Sequence, residues 1–328
     1  MKKIDVALTW HNRTNEKFIG WLKRECEYRH LAFLLITRKN VESTISELEK
    51  SKLKIQFMLD NQADYFDPKD PFVRLCYAVK DAGGYVVCDP DDARHSSNKA
   101  ITHYELLKVN IPVPFTVVVR NWEPKNFRLT KEELKNLKKP FIIKPATGFG
   151  QRGVVKDAKG SIEEIAGARH YNEGDDFLLQ EKIEPVTLGD KMAWFRVYYL
   201  FGEIIPCWWN TNNGWYGHIS LREMYNYKLL PLARITSEIA RITNMEFFTT
   251  EIAMTNDKEK KFVSIDYVND QPDLCVLGEK AGGGPVPSVV EHIAERIAGI
   301  AWRISKGFSL NIHRSIWLGK AILEDSSI

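Results

Sequence analysis

The chain has 328 residues, 44% of them hydrophobic and 27% charged, a composition that suits an ordered globular protein with room for two or three domains. Its 46 Lys and Arg face 43 Asp and Glu, and the net charge of +3 gives no footing for a nucleic-acid partner. Lys258, Lys260 and Lys261, the densest basic group, sit beside Asp257 and Glu259. No apolar run is long enough to span a membrane, and MKKIDVALTW turns polar at His11 without forming a signal-peptide core. Cys26, Cys76, Cys88, Cys207 and Cys275 are widely spaced, form no CxxC and lie in or near apolar runs. Buried free thiols in a reducing cytoplasm are therefore expected.

The first third alternates strands and helices. Ile4–Thr9 reads as a strand, and Thr14 or Asn15 could cap a helix over 16–29 that carries Phe18, Trp21, Leu22 and Cys26 on one face. Leu31–Thr37 is a continuous apolar run typical of a buried parallel strand. A helix near 41–49, a strand over 54–59, a helix over 72–82 and a strand over 85–88 continue the pattern, which implies a parallel α/β sheet. Loops after such strands bind ligands, so Asp60 and Arg74 are noted as substrate-site candidates against the plainer reading of solvated or paired charges. In the next segment Ser96, Ser97 or Asn98 could cap a helix starting at Lys99. A lysine in a first turn opposes the helix dipole, which hints at an anionic partner.

Phe141–Val155 (FIIKPATGFGQRGVV) reads as a buried strand ending in Lys144, a turn containing Gly148, Gly150, Gln151 and Gly153, and a second strand. Glycines let backbone N–H groups approach phosphate oxygens, and a lysine adds a point charge. A plain β-hairpin accounts for the same residues. The spacing fits the dinucleotide pattern GxGxxG, yet a strand follows where that motif needs a helix. It also fits the protein-kinase loop GxGxxGxV, yet no HRD or DFG follows.

Downstream, helices over 131–137 and 161–168 flank this turn, and the apolar strand 177–180 closes with Glu181-Lys182-Ile183-Glu184-Pro185. Phe201-Gly202-Glu203 turns between two aromatic-rich strands. Arg196 shares a strand face there with Trp194 and Tyr198, and an arginine inside an apolar strand calls for an anionic partner, either a nearby Glu or a ligand phosphate or carboxylate. Trp208, Trp209, Trp215 and Tyr216 are either core or the lining of an apolar or planar substrate slot. After an amphipathic helix over 231–244 come strands 247–254 and 261–268, which carry Glu251 and Asp266, with Asn269 beyond. Two carboxylates on adjacent antiparallel strands repel unless a cation intervenes, and an all-oxygen set suits Mg²⁺. A second glycine turn, Ala281–Pro287, precedes a helix over 288–305, and the stretch from Gly307 shows no usable pattern.

From about residue 85 to 305 this ordered set resembles the ATP-grasp superfamily. The resemblance rests on Lys99 heading a helix before IPVPFT, Lys144 in FIIKP with TGFGQRG, the hinge LLQEKIEP, FRVYYLFGE, and Glu251 with Asp266 and Asn269 on paired strands. Its nearest flavour is that of the carboxylate–amine ligases: D-alanine–D-alanine ligase, glutathione synthetase and the ribosomal-protein glutamate ligases. The fold it implies is mixed α/β and α+β: an N-terminal parallel α/β domain over 1–110, a lid subdomain over 111–183, a C-terminal subdomain over 184–305, and a tail over 306–328, with ATP between two sheets.

The implied activity is a cytoplasmic, Mg²⁺- and ATP-dependent ligase acting on small-molecule or peptide carboxylates and amines, with neither nucleic acid nor membrane as partner and a homodimer left open. The resemblance implies that Lys99 and Lys144 contact the α- and β-phosphates, under a loop from Gly148 to Gly153. Glu181, Lys182 and Ile183 would meet the adenine edge and Glu184 the ribose. Arg196, or less directly Arg222, would meet the γ- or acyl phosphate, and Glu251, Asp266 and Asn269 would hold Mg²⁺. The family spaces its last ligands as E-x-N, whereas here Asp266 and Asn269 are three apart. On a regular strand that puts them on opposite faces, so a strand end must reorient Asn269 or Asp270 must replace it. A phosphotransferase on the same site, with Asp270, Asp273 or His218 as base, and a nucleotide-binding protein without turnover are the rival readings.

Overall fold

A computed structural model describes residues 1–11, 16–148, 150–279, 283–310, 312–319 and 321–324. The chain forms two compact units: unit one comprises Met1–Arg94, Trp194–Thr249 and Asn269–Ile328, and unit two comprises His95–Ala193 and Thr250–Val268. The expected caps Thr14 and Asn15 lie outside the described residues, as do Phe149, Ala281 and Gly282 of the two glycine turns.

Unit one begins with β1 (Lys2–Thr9), α1 (Lys17–Tyr28), β2 (Phe33–Ile36), α2 (Val41–Glu49), β3 (Leu53–Leu59), α3 (Pro71–Asp81) and β4 (Tyr85–Val87). The strands pair in parallel in the order β2–β1–β3–β4. Val6 to Thr9 are all buried on the central strand β1, which is why that segment shows no polar alternation. Pro90–Ser96 then forms α4, which the sequence pattern does not reveal. Its seven residues bury only Pro90, Ala93 and Ser96, and the helix is held by backbone and Asp89 side-chain bonds to Ala93 and Asp91.

Unit two holds α5 (Lys99–Lys108), β5 (Thr116–Val119), α6 (Lys131–Leu137), β6 (Phe141–Pro145), β7 (Val155–Ala158), α7 (Ile162–Arg169), β8 (Phe177–Gln180) and the short pair β9 (Thr187–Leu188) and β10 (Lys191–Met192). The sheet order β5–β8–β6–β7 is antiparallel throughout. Asn98 caps α5 through the N–H groups of Ala100 and Ile101, and Thr130 with Glu133 forms a capping box on α6. One face of the sheet buries Val119, Phe141, Ile143, Phe177 and Leu179 against Leu137 and Ile165.

Returning to unit one, β11 (Trp194–Leu200), β12 (Glu203–Trp209) and β13 (Trp215–His218) form an antiparallel meander, followed by α8 (Leu221–Asn226) and α9 (Leu230–Thr243). The expected turn at Phe201-Gly202 is present, with both residues at positive φ. The hydrogen-bonded neighbours β14 (Phe247–Met254) and β15 (Phe262–Asn269) carry the chain between units, changing over at 249/250 and 268/269. β16 (Gly284–Pro285) pairs with β13, and α10 (Pro287–Ser305) packs on α1, β1 and β3. The final stretch contains a hairpin of β17 (Ser315–Leu318) and β18 (Ala321–Glu324), with β17 docked on β12. Four-residue strands are too short to show an alternation in the sequence. No described helix is long and apolar enough to cross a membrane. None of the five cysteines is in a disulfide; four are buried, whereas Cys275 is half-buried.

Phe141 is fully buried at the centre of the unit-two core. Phe141→Ala should therefore cost about 3–5 kcal/mol in the unfolding of unit two, read from denaturant midpoints. A loss below about 1 kcal/mol would mean that this core does not hold the unit together.

Candidate functional site

The charged cluster of unit two follows from strand alternation. On β6, Ile143 enters the core, so Lys144 leaves the opposite face, where it is only 8% exposed. Its ammonium donates to the Ile265 carbonyl at 3.0 Å and lies 5.7 Å from the centre of the Tyr267 ring. Lys99, the first residue of α5, donates through its backbone N–H to the Ala146 carbonyl (2.9 Å) and through Nζ to the Gly148 carbonyl (2.7 Å). The same Nζ stands 3.9 Å from Asp266 Oδ1. Lys99, Lys144, Gly148 and Asp266 are thus brought together within one unit.

Burial pushes the Lys144 ammonium down to about 8; Asp266 opposes this and Lys99 adds to it. Lys99 and Lys144 are thus neighbouring cations that both feel the Asp266 carboxylate.

The glycine turn is anchored at its base. Thr147 donates from its N–H (2.9 Å) and Oγ1 (2.8 Å) to the buried Asp175 carboxylate, whose pKa burial raises while these bonds lower it. Beyond it, Gly150, Gln151 and Gly153 all have φ between +61° and +69°. At Gly153 a Cβ would sit 2.5 Å from the Tyr171 ring, so both the backbone and the space demand glycine.

Beneath Lys144 lies a polar network. The Tyr267 hydroxyl meets His103 Nδ1 at 2.7 Å and accepts from Gln180 Nε2 at 3.1 Å. Burial, helped by the Lys144 charge, pushes the His103 imidazole down to about 4. A neutral His103 and a fully buried Tyr267 hold the ring on which the Lys144 ammonium rests.

The hinge residues follow β8. The Glu181 N–H bonds to the Phe115 carbonyl at 2.8 Å, while its carboxylate pairs with Lys138. Lys182 pairs with Asp157 at 2.7 Å, Ile183 is half-buried, and Glu184 is exposed with its carbonyl accepting from Asn256. Of the carboxylates on β14 and β15, Glu251 and Asp266 are both half-buried. Thr250 Oγ1 bonds to the Asp266 carbonyl at 3.1 Å and meets Ser264 Oγ at 3.3 Å, so residues 250–251 and 264–266 are cross-strand neighbours. Carboxylate oxygens on adjacent strands are a donor set that fits Mg²⁺.

The remaining candidates belong to unit one. Asn269 is the last residue of β15, and its amide donates to Thr249 Oγ1 at 3.4 Å. Arg196 lies half-buried on β11 with its guanidinium 4.7 Å from the Trp209 ring centre and 5.3 Å from that of Tyr216, so the cation meets two aromatic rings. Arg222 is exposed on α8. Trp208 is core, at 2% exposure, whereas Trp209 and Trp215 are half-buried. Asp60 is buried and accepts from Thr9 Oγ1, the Gln62 and Ala63 N–H groups and Tyr65, which makes it a loop anchor. Arg74 pairs with Glu42 at 3.1 Å. His218 meets Ser288 Oγ at 2.6 Å, and Asp273 accepts from the Tyr216 hydroxyl at 3.4 Å.

Sequence reasoning missed Asp175, His103 and Tyr267. Asp175 stands in the run Glu173-Gly174-Asp175-Asp176, which reads as a solvated loop. Tyr267 alternates with Asp266 on β15, and that alternation is the signal that would have placed it beneath the charged face.

No family model and no curated protein matches the sequence. Solved structures do match the fold. An ATP-grasp RimK domain protein from Sphaerobacter thermophilus is 16% identical, with 90% of this chain and 98% of that one covered and a TM-score of 0.59. D-alanine–D-alanine ligase from Bacillus anthracis, complexed with ATP, is 13% identical, with 94% and 99% covered and a TM-score of 0.62. The macrocyclase MdnC from Microcystis aeruginosa, bound with precursor peptide MdnA, is 10% identical, with 90% and 99% covered and a TM-score of 0.53. The chain has the ATP-grasp fold. The structures that share it include a D-alanine–D-alanine ligase and a macrocyclase.

His103 supplies a pH test of the network. Its folded pKa is about 4 against an ordinary 6.5, so its contribution to stability is full above 6.5 and is lost as the pH falls through 4. Wild type should lose on the order of 3 kcal/mol more than His103→Gln between pH 7 and 4, measured by denaturant unfolding. Parallel pH profiles would show that His103 is not held neutral.

Proposed function

We propose that the chain is an Mg²⁺- and ATP-dependent ligase that activates a carboxylate as an acyl phosphate and joins it to an amine. One observation carries this reading: two lysines, the buried Lys144 and the half-buried Lys99, gather with Asp266 at the base of a glycine turn. Like charges so placed are stable when a polyanion lies across them, and the backbone N–H groups of a glycine turn suit phosphate oxygens. The structural likeness to a ligase complexed with ATP supports the same assignment.

In the proposed reaction a substrate carboxylate oxygen attacks the γ-phosphorus and the bond to the β,γ-bridging oxygen breaks, releasing ADP. An amine nitrogen then attacks the acyl carbon, the carbon–oxygen bond to phosphate breaks, and the amine proton passes to solvent or a base. Amide, ADP and phosphate result. Lys99 and Lys144 hold the α- and β-phosphates, and the turn from Gly148 through Gly150 and Gln151 to Gly153 covers the triphosphate. Glu181, Lys182 and Ile183 frame the adenine, with the Glu181 role falling to its main chain because its carboxylate is taken by Lys138. Glu184 takes the ribose.

Glu251 and Asp266 would hold Mg²⁺, which when bound neutralises phosphate charge. Asn269, at the end of β15, is the third ligand on sequence grounds alone. Arg196 is assigned to the γ- or acyl phosphate, with Arg222 a second cation for the same task. The aromatic flanks of Arg196 hold its guanidinium in one orientation, which suits a planar, bidentate contact to an oxyanion. Substrates of the class are small carboxylates or peptides, as the likeness to a macrocyclase bound with a precursor peptide suggests.

Hydroxylamine should convert the activated substrate into a hydroxamate when the protein turns over ATP on a panel of carboxylates and peptides. ADP release without hydroxamate would favour phosphoryl transfer to a hydroxyl instead. Arg196→Ala should keep ATP-analogue binding and lose turnover on the order of a hundredfold or more. Unchanged turnover would remove Arg196 from the mechanism.

A further inference from the structure

Unit one carries a second group of ligand-type side chains that the proposed ligase reaction does not use. A ring nitrogen of His11, a carboxylate oxygen of Glu16 and Sγ of Cys275 lie within 4.8 Å of one another, the one such group among the described residues. His11 and Glu16 both precede α1, Glu16 directly, and Cys275 lies in the segment between β15 and β16.

Two observations separate this group from an ordinary surface ion pair. Glu16 is the N-cap residue of α1, yet its carboxylate makes no capping bond and is turned inward, only 7% exposed. The capping task passes to Glu279, whose Oε1 accepts from the Lys17 N–H at 2.8 Å. The buried Glu16 carboxylate is therefore not spent on the helix terminus and can serve a cation.

The second observation concerns the two carboxylate oxygens. Trp10 Nε1 donates to Glu16 Oε2 at 2.6 Å, whereas Oε1 is buried, lies 3.1 Å from His11 Nε2 and has no hydrogen-bond partner. Atoms bound to one tetrahedral metal at about 2.0 Å stand roughly 3.3 Å apart and need no mutual alignment. The Trp10 bond is then the outer contact that orients a ligating carboxylate. Sulfur, imidazole nitrogen and carboxylate oxygen together select zinc over the hard, oxygen-seeking Mg²⁺.

We propose that His11, Glu16 and Cys275 form a three-ligand zinc site in unit one, with a fourth position for water or a ligand atom. Binding breaks the Cys275 S–H bond, and the proton is released to the buffer as the thiolate joins the metal. The site ties the beginning of α1 to the segment that carries Cys275 and Glu279, and Glu279 reinforces the tie through its bonds to the N–H groups of Lys17 and Val276.

Cobalt(II) is the probe. The chelator-treated full-length protein should bind one equivalent of Co²⁺ with a near-ultraviolet thiolate-to-cobalt charge-transfer band that Zn²⁺ then displaces. Cys275→Ser should abolish the band, and His11→Ala should weaken Co²⁺ binding at least about tenfold, since outer-contact losses alone cost 10–100-fold. Zn²⁺ should also shield Cys275 of the unmutated protein from alkylation, read by mass spectrometry, so the test stands even if the variants fail to fold. Absence of the band in wild type, an unchanged band in Cys275→Ser, or alkylation of Cys275 indifferent to Zn²⁺ would overturn the proposal.

Discussion

The burial of one ammonium group constrains the candidate site of unit two. Lys144 must leave the apolar face of β6, and the space opposite is nearly closed to water. Desolvating a cation is costly, and the price is visible in a pKa pushed down to about 8. The Ile265 carbonyl, the face of Tyr267 and the nearby Asp266 compensate only in part, because Lys99 brings a second positive charge to the same place. Under the proposed function, an anion placed across the two ammonium groups would offset this cost.

That arrangement depends on elements far apart in the chain. Asn98 sets the start of α5 and thereby the position of Lys99. Asp175 fixes Thr147 at the base of the turn, and the Tyr267 network fixes the floor beneath Lys144. Each contact is a short-range hydrogen bond worth on the order of 1 kcal/mol, but together they leave the two ammonium groups little freedom.

Much of the fold was legible because its long elements carry strong periodicity. The β1-to-β4 alternation, the Phe201-Gly202 turn and the helix α10 could be read from apolar spacing and turn residues. α4 and the β17–β18 hairpin could not, since seven- and four-residue elements give too few apolar positions for a period to emerge. Lys99, Lys144 and Asp266 were legible as charges out of place in apolar or dipole-opposed settings. Asp175 was not, because a buried polar residue in a polar stretch looks like a loop until its partner is known, and His103 was not, because one histidine within a helix shows no sign of burial until its partner is known. The rings flanking Arg196 were equally hidden: Trp209 and Tyr216 lie on β12 and β13, and only the strand register brings them to β11.

The central claim is that Lys99, Lys144 and Asp266 form a metal–triphosphate site, and calorimetric titration with a non-hydrolysable ATP analogue tests it most directly. Wild type should bind the analogue more tightly with Mg²⁺ than without it. Asp266→Asn should lose most of that Mg²⁺ dependence, and Lys144→Met should lose affinity at least about tenfold, the equivalent of one charge-assisted hydrogen bond. Binding that is indifferent to Mg²⁺ and to both substitutions would contradict the account.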